Sequence, residues 1–329
     1  MNRRVAHTGL GLMTALVVIG MASILLGQIQ TDLSAAIAGL LGTSSDDAAF
    51  AIIELRAPRF VLAAAVGAAL GMAGALLQGI AKNPLVEPGI IGVNSGAALA
   101  AVVLIVTFRD VPGWLFPPAA FAGALAIGSA VFALAWRDGE MRPVRLVLTG
   151  IGVAAIASAL IGLLTIAARI ADVQRAFVWL AGSLHGRGWL EVQSVALWLI
   201  LLTPIALLTA RSLDALSLGS AMARGLGVRV ALIRTTAVVI AAGLSAASVS
   251  VVGPVAFVGL IGPHIARTLA GPAHGSLLPL SALAGAVLTT LADLIGRRVI
   301  APDELPVGVV VAIVGAPYFL WLMSRQRHV

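Results

Sequence analysis

Ten apolar stretches follow one another along this chain, at about 9–29, 58–80, 90–108, 115–136, 144–168, 190–210, 230–250, 254–271, 276–296 and 305–324. A hydrocarbon layer about 30 Å thick is crossed by about 20 apolar residues in helical form. A helix or a closed barrel is required there because no water is present to satisfy backbone N–H and C=O groups. The runs predict an all-α, polytopic membrane protein of about ten transmembrane helices. Composition agrees: 60% of the 329 residues are hydrophobic, 11% are charged and mean hydropathy is +1.06, where a soluble domain is about 25% charged. The eighth run is short and carries Pro254 and Pro263, which predicts a broken helix. A nine-span reading would put the C-terminus outside.

Charge placement tests the topology. Arg3 and Arg4 precede a first run, Gly9 to Gly27, that is longer than a signal-peptide core and is followed by nine others, so it reads as an uncleaved helix. With the N-terminus inside, thirteen of the 21 basic residues fall on the cytoplasmic side, among them Lys82, Arg137, Arg142, Arg145, Arg211, Arg224, Arg229, Arg234, Arg267, Arg325 and Arg327. Four of the 14 acids, Glu87, Asp138, Glu140 and Asp214, accompany them. This asymmetry predicts that both termini are cytoplasmic. The outer face keeps Arg56, Arg59, Arg109, Arg169, Arg175, Arg187, Arg297 and Arg298, more arginine than topology alone asks for. Guanidinium forks match carboxylates, so such a cluster suits docking of an acidic partner; snorkelling, or ion pairs to Glu54 and Asp293, would account for the same residues.

Several chemistries are excluded or disfavoured. There is no cysteine, and the single lysine, Lys82, follows Ala81 instead of the glycine of a phosphate-binding loop. The five histidines are scattered without an i, i+4 pair, so no protein-held catalytic metal, cofactor or enzymatic activity is expected. Ion-coupled transport wants ionisable groups inside the spans, and the middles of these runs hold only modest polar residues such as Gln78, Thr149, Ser158, Thr165, Ser245, Ser248 and Ser281. That pattern suits a pathway opened by an external motor. The longest cytoplasmic connection, 211–229, sets Leu213, Leu216, Leu218, Met222 and Leu226 at helical spacing, which predicts one or two short amphipathic helices lying against a partner or against lipid.

The segment 54–98 joins Arg56-x-x-Arg59 astride Pro58, Gly67-x-x-x-Gly71-x-x-Gly74, Gln78, Asn83-Pro84-Leu85 and a Gly/Pro-rich continuation. Further on come Trp179 to Leu184 (WLAGSL), Val252 to Arg267 (VGPVAFVGLIGPHIAR) and Glu304-Leu305-Pro306-Val307-Gly308. In this order, over about residues 54–324, the motifs resemble the permeases of bacterial iron-siderophore, haem and cobalamin ABC importers. The resemblance implies one transmembrane permease domain over 1–329 in the bacterial plasma (inner) membrane. It also implies a second permease, identical or paralogous, two ATPase subunits that hydrolyse ATP, and a periplasmic or lipid-anchored binding protein. Arg56, Arg59 and Arg297 match its binding-protein docking face. Leu213, Asp214, Leu216, Ser217, Leu218, Gly219, Ala223, Leu226, Gly227 and Val228 match its cytoplasmic coupling loop. The fifth helix would line the path with Thr149, Gly152, Ala155, Ser158, Ala159, Gly162 and Thr165, although helix packing wants the same small residues. Gln78, Asn83, Pro84, Gly253, Pro254, Pro263, His264, Glu304 and Pro306 would be structural. Iron(III)-siderophore is the expected cargo, with haem and cobalamin as alternatives, and an ion-coupled transporter is the rival from another class.

Overall fold

The computed structural model describes residues 3–26, 47–108, 111–137 and 140–325. Gly27, Arg109, Asp138 and Arg327, which enter the sequence reading above, lie outside the described residues. The helices are α1 (Arg3–Leu25), α2 (Ala57–Ala81), α3 (Val93–Thr107), α4 (Phe116–Ala135), α5 (Pro143–Ala167), α6 (Ile170–Leu180), α7 (Trp189–Ser217), α8 (Ser220–Gly225), α9 (Val230–Val252), α10 (Val258–Ala270), α11 (His274–Val299) and α12 (Val307–Arg325). A helical turn, Asp47–Phe50, and a π-helical stretch, Ala51–Arg56, run directly into α2. Proline in the first turn starts α2, α4 and α5, where its missing N–H costs nothing and its fixed φ suits a helix.

Each of the ten apolar runs holds a helix, and among the described residues eight helices are long and apolar enough to cross a membrane. The third is shorter than the sequence predicts; the eighth, predicted short and broken, is helical only from Val258, past Pro254, and Pro263 does not interrupt it. At 15 and 13 residues, α3 and α10 reach only about 23 and 20 Å. The chain enters α3 through a turn in which Asn83 Oδ1 accepts from Leu85 N–H at 2.9 Å, and it has already re-entered the bundle when Glu87 Oε2 accepts the N–H of Phe257 at 2.8 Å, just ahead of α10.

Close backbone approach explains the glycines of α2. A Cβ at Gly67 would lie 2.2 Å from Gly285 O, one at Gly71 2.2 Å from Ser281 O, and one at Gly74 1.8 Å from Gly259 O. The small face therefore packs on α11 and, one turn further, on α10. Without a hydrophobic drive inside lipid, such contact is what holds helices together. Together with α9, α2 forms the buried centre of the bundle, while α1, α5 and α7 leave broad apolar faces exposed.

Helix alternation puts Ile24, Arg59, His185, Asp293 and Glu304 at one end of the bundle, joined by hydrogen bonds. Lys82, Asp214, Ser220, Arg234 and His274 lie at the other. Both α1, read from its start, and α12, read to its end, belong to the Asp214 end.

Candidate functional site

At the Arg59 end the arginines turn inward. Arg59 Nε and Nη2 donate to Asp293 at 3.0 and 2.8 Å, and Nη1 to Glu304 at 2.8 Å. Arg297 contacts the same Asp293 at 3.2 Å and reaches Ser23 on α1, while Arg56 donates to Ile24 O at 2.7 Å. Arg59 on Asp293 ties α2 to α11, Arg297 meets the same carboxylate from within α11, and Glu304 carries the tie to the connection before α12. Side-chain exposure is 12% for Arg59 and 11% for Arg297. Glu304, 24% exposed, is the outermost acid of the set and also meets His185 Nδ1 at 3.2 Å. Burial pushes the Glu304 carboxyl up, but the hydrogen bond and charge of Arg59, with those of His185, outweigh it and hold it below the usual carboxylate range. Arg298, next to Arg297, is exposed.

Three of the quoted motifs meet just below. Ser183 N–H donates to Val252 O at 2.7 Å and Gly308 N–H to Gly182 O at 3.1 Å. A Cβ at Gly253 would lie 2.4 Å from Trp179 O, and one at Gly308 2.4 Å from Ala181 O. Gly253-Pro254, Gly182 and Pro306-Val307-Gly308 are thus one interlocked knot between α6, α9 and α12. Gly253, Pro254 and Pro306 of the quoted motifs lie in it.

At the Asp214 end, the 211–229 connection divides. Arg211 to Ser217 prolongs α7 instead of forming a separate helix, and only Ser220–Gly225 is an independent turn, α8. Gly219 at φ 117° and Gly227 at φ 82° bracket α8 in backbone that a side chain would strain. The apolar residues divide too: Leu213, Leu216 and Ala223 are buried, whereas Leu218, Met222 and Leu226 are 67%, 58% and 62% exposed. The loop is anchored by polar contacts. Asp214 Oδ1 accepts from His274 N–H at 2.8 Å and lies 2.7 Å from its Nδ1; Lys82 Nζ donates to Ser217 O at 3.1 Å; and Arg234 Nη2 donates to Ser220 Oγ at 2.7 Å. Val228 N–H closes the turn on Ala223 O at 2.9 Å. The result is a fixed loop carrying three unpartnered apolar side chains.

Along α5, Gly152, Ala155, Ser158 and Ala159 are exposed, and Thr149, Gly162 and Thr165 are half-buried. A Cβ on Gly152 or Gly162 would meet nothing within 4 Å, whereas one on Gly150 would lie 1.8 Å from Ile90 O. Packing inside the chain therefore explains Gly150 and not Gly152 or Gly162. In the bundle interior, Arg267 Nη2 donates to Gln78 Oε1 at 3.1 Å, Gln78 Nε2 donates to Gly259 O at 3.4 Å, and His264 lies edge-on to Tyr318 with ring centroids 5.7 Å apart. Pro263 is buried in the middle of α10.

Two features escaped sequence reasoning. The helix α6 sits in what reads as a connection between the fifth and sixth runs; its signal was Arg169-x-x-Asp172-x-x-Arg175, one acid paired at i±3 to two arginines. The contact of Glu87 with Phe257 joins residues 170 apart, and nothing local announces it.

Apolar helices that satisfy their own backbone, with charged residues gathered at the two ends, define a multi-pass helical membrane protein. Comparison with known proteins makes the class specific. Residues 15–325 match the FecCD transport family. The chain is 39% identical over 314 residues, 95% of its length and 93% of the other's, to the Fe(3+)-citrate import system permease protein YfmE of Bacillus subtilis. It is 39% identical to the hemin transport system permease protein HmuU of Yersinia pestis, covering 96% of this chain and 95% of that one. A solved metal-chelate type ABC transporter in an inward-facing conformation superposes with a TM-score of 0.83 at 30% identity, over 96% of this chain and 98% of that one. This chain belongs to the FecCD transport family, and it is a multi-pass transport permease of the bacterial inner membrane.

Proposed function

We propose that this chain is the permease subunit of an ATP-driven ABC importer whose cargo is an iron(III)-siderophore complex, handed over by a periplasmic or lipid-anchored binding protein. The observation that carries the reading is the anchored loop at the Asp214 end, with Leu218, Met222 and Leu226 exposed on a turn held by Asp214–His274 and Arg234–Ser220. An isolated permease has no use for three solvent-side apolar residues on a rigid support, whereas a separate ATPase subunit would cover them. The Asp214 end also gathers the basic excess, so it faces the cytoplasm with both termini. The unit is one transmembrane permease domain, with 211–229 as its coupling loop.

The Arg59 end then faces the binding protein. Arg56, Arg59 and Arg297 form its docking floor, with exposed Arg298 adding charge at the rim. An incoming carboxylate would compete with Glu304 for Arg59, because Glu304 is the most accessible acid of the network. The exposed face of α5, with open space above Gly152 and Gly162, supports a path along the interface with a second permease, identical or paralogous. ATP binding closes the motor subunits, the loop passes that motion to α7 and α9, and access alternates from outside to inside.

The test is ATPase stimulation and uptake in proteoliposomes holding this permease, its partner permease where there is one, the ATPase and the binding protein, loaded in turn with ferric siderophores, haem and cobalamin. Stimulation by ferric siderophore is the expected outcome, and the triple variant Leu218→Ser/Met222→Ser/Leu226→Ser should weaken ATPase association at least tenfold. Stimulation by haem or cobalamin instead would overturn the cargo. If no ATPase assembles with the wild type, even with a paralogous permease supplied, the importer reading fails in favour of ion-driven transport.

A further inference from the structure

Helices α2 and α11 run antiparallel and meet at four levels. At one end Arg59 holds Asp293. Further along, Gly67 lies against Gly285 and Gly71 against Ser281, each so close that a Cβ on the α2 residue would strike the other helix's backbone. At the Asp214 end Gly79 lies against the imidazole of His274, where a Cβ would strike Nε2. Each step along α2 is matched by a nearly equal step back along α11, so one register holds over roughly 30 Å. Backbone packed on backbone leaves no flexible side chain to yield. The pair is a strut between the two ends of the bundle.

The joint at its Asp214 end is made by His274, the first residue of α11. Asp214 Oδ1 accepts the backbone N–H of His274 at 2.8 Å and lies 2.7 Å from Nδ1. A carboxylate only accepts, so the ring donates through Nδ1–H. The other ring nitrogen, Nε2, is buried on the Gly79 side with no hydrogen-bond partner among the described residues. Asp214 belongs to the 211–229 loop, and Leu213 and Leu216 on either side of it are buried. The ring is thus clamped between the loop and α2. Capping of α11 alone needs only the backbone N–H, which any residue at 274 but proline would supply; the ring contact with α2 goes beyond a cap.

We propose that α2 and α11 carry binding-protein docking at the Arg59 end to the ATPase under the 211–229 loop, with His274 as the positioning residue that joins strut to loop. This rests on the importer reading above and adds a route to the one through α7 and α9. A carboxylate that draws Arg59 outward shifts the end of α2. Because Gly67 and Gly71 forbid slippage, α11 moves with it, and His274 passes the shift to Asp214.

The test uses the assembled permease–ATPase complex in nanodiscs and the binding protein loaded in turn with ferric siderophore, haem and cobalamin. The readout is the ratio of stimulated to basal ATP hydrolysis per assembled complex. His274→Ala should lower the wild-type stimulation about tenfold, a typical size for coupling between sites. Gly79→Ala should do the same with the loop itself untouched, because its Cβ displaces the ring. Asparagine can place an N–H where Nδ1 lies and glutamine only where Nε2 lies, so His274→Asn should restore stimulation and His274→Gln should not. That pair decides the matter even if His274→Ala assembles poorly. Linkage is reciprocal, so the change in binding-protein affinity on adding ATP, read by surface plasmon resonance, should shrink in His274→Gln by the same factor. Unchanged stimulation in His274→Ala and Gly79→Ala, or rescue by glutamine as full as by asparagine, would overturn the proposal while a stimulated wild type keeps the importer reading intact. A wild type with which no ATPase assembles sinks that reading instead.

Discussion

Glu304 shows how much one residue of this chain depends on distant partners. On its own it is the acid of an E-L-P turn; in the fold it joins α2, the 183–188 turn and the start of α12 through Arg59 and His185. Its carboxyl is held below the ordinary value of 4.5. A depressed carboxylate contributes stability that is complete above the unfolded value and lost as pH falls through the folded one. The wild type should therefore melt above Glu304→Gln from pH 7 to about 5, and the margin should close below about 4.5. Thermal unfolding in detergent checks this; a margin unchanged at the lowest pH would show that the ion pair is not the source. The sequence indicated the chemistry of Arg59 and Asp293, including their capacity to pair with acids and bases, but not the choice between an inward partner and an outward one. That choice depends on where α11 lies beside α2, and the two residues are 234 positions apart.

At the scale of elements, glycines divide into those that a neighbour's backbone demands and those it does not. Gly74 sits where a Cβ would meet Gly259 O at 1.8 Å, and Gly152 where nothing is near. Gly74→Ala should force α2 and α10 apart and cost about 1–3 kcal/mol or more, seen as a lower melting temperature and poor yield. Gly152→Ala should leave the melting temperature within a degree or two and act, if at all, on uptake. Equal destabilisation by both would mean that the exposed face of α5 is packed inside the chain after all. The small-residue face of α2 was legible because the i, i+4 spacing of Gly67 and Gly71 is local. The length of α3 was not, because its residues are as apolar as those of a full span, whereas Pro254 already marked the eighth run as short and broken. What shortens them is the re-entrant turn at Asn83–Pro84 and the unwound stretch Gly253–Phe257, each stabilised by remote contacts. Helix α6 went unread for a related reason: it is amphipathic and too short for the hydropathy signal of a span.

At the scale of the whole molecule, the two ends have different tasks and can be perturbed separately. Arg59 holds Asp293 and Glu304, so Arg59→Gln leaves a buried carboxylate with less compensation, and loss of a buried partner costs about 3–5 kcal/mol. Its expected effect is on folding first, read as a lower melting temperature of the assembled complex. Arg298 is exposed at the same end, and Arg298→Glu should leave melting unchanged while lowering the binding protein's association rate several-fold at low salt. Surface plasmon resonance on nanodisc-held complex separates these outcomes. An unaltered association rate in Arg298→Glu would remove the rim charge from the docking surface.

By itself the sequence determined that the chain lives in a membrane, how many apolar segments it threads, and which residue types collect between them. Those properties follow from transfer free energy and from the composition of contiguous segments, which neighbours in space do not alter. Only the tertiary structure decided which arginines are tied inward, that α3 falls short of a full span, and which apolar side chains of the 211–229 loop stay uncovered. Each of these depends on contacts between residues far apart in the chain, where packing and charge pairing, not local hydropathy, set the free energy.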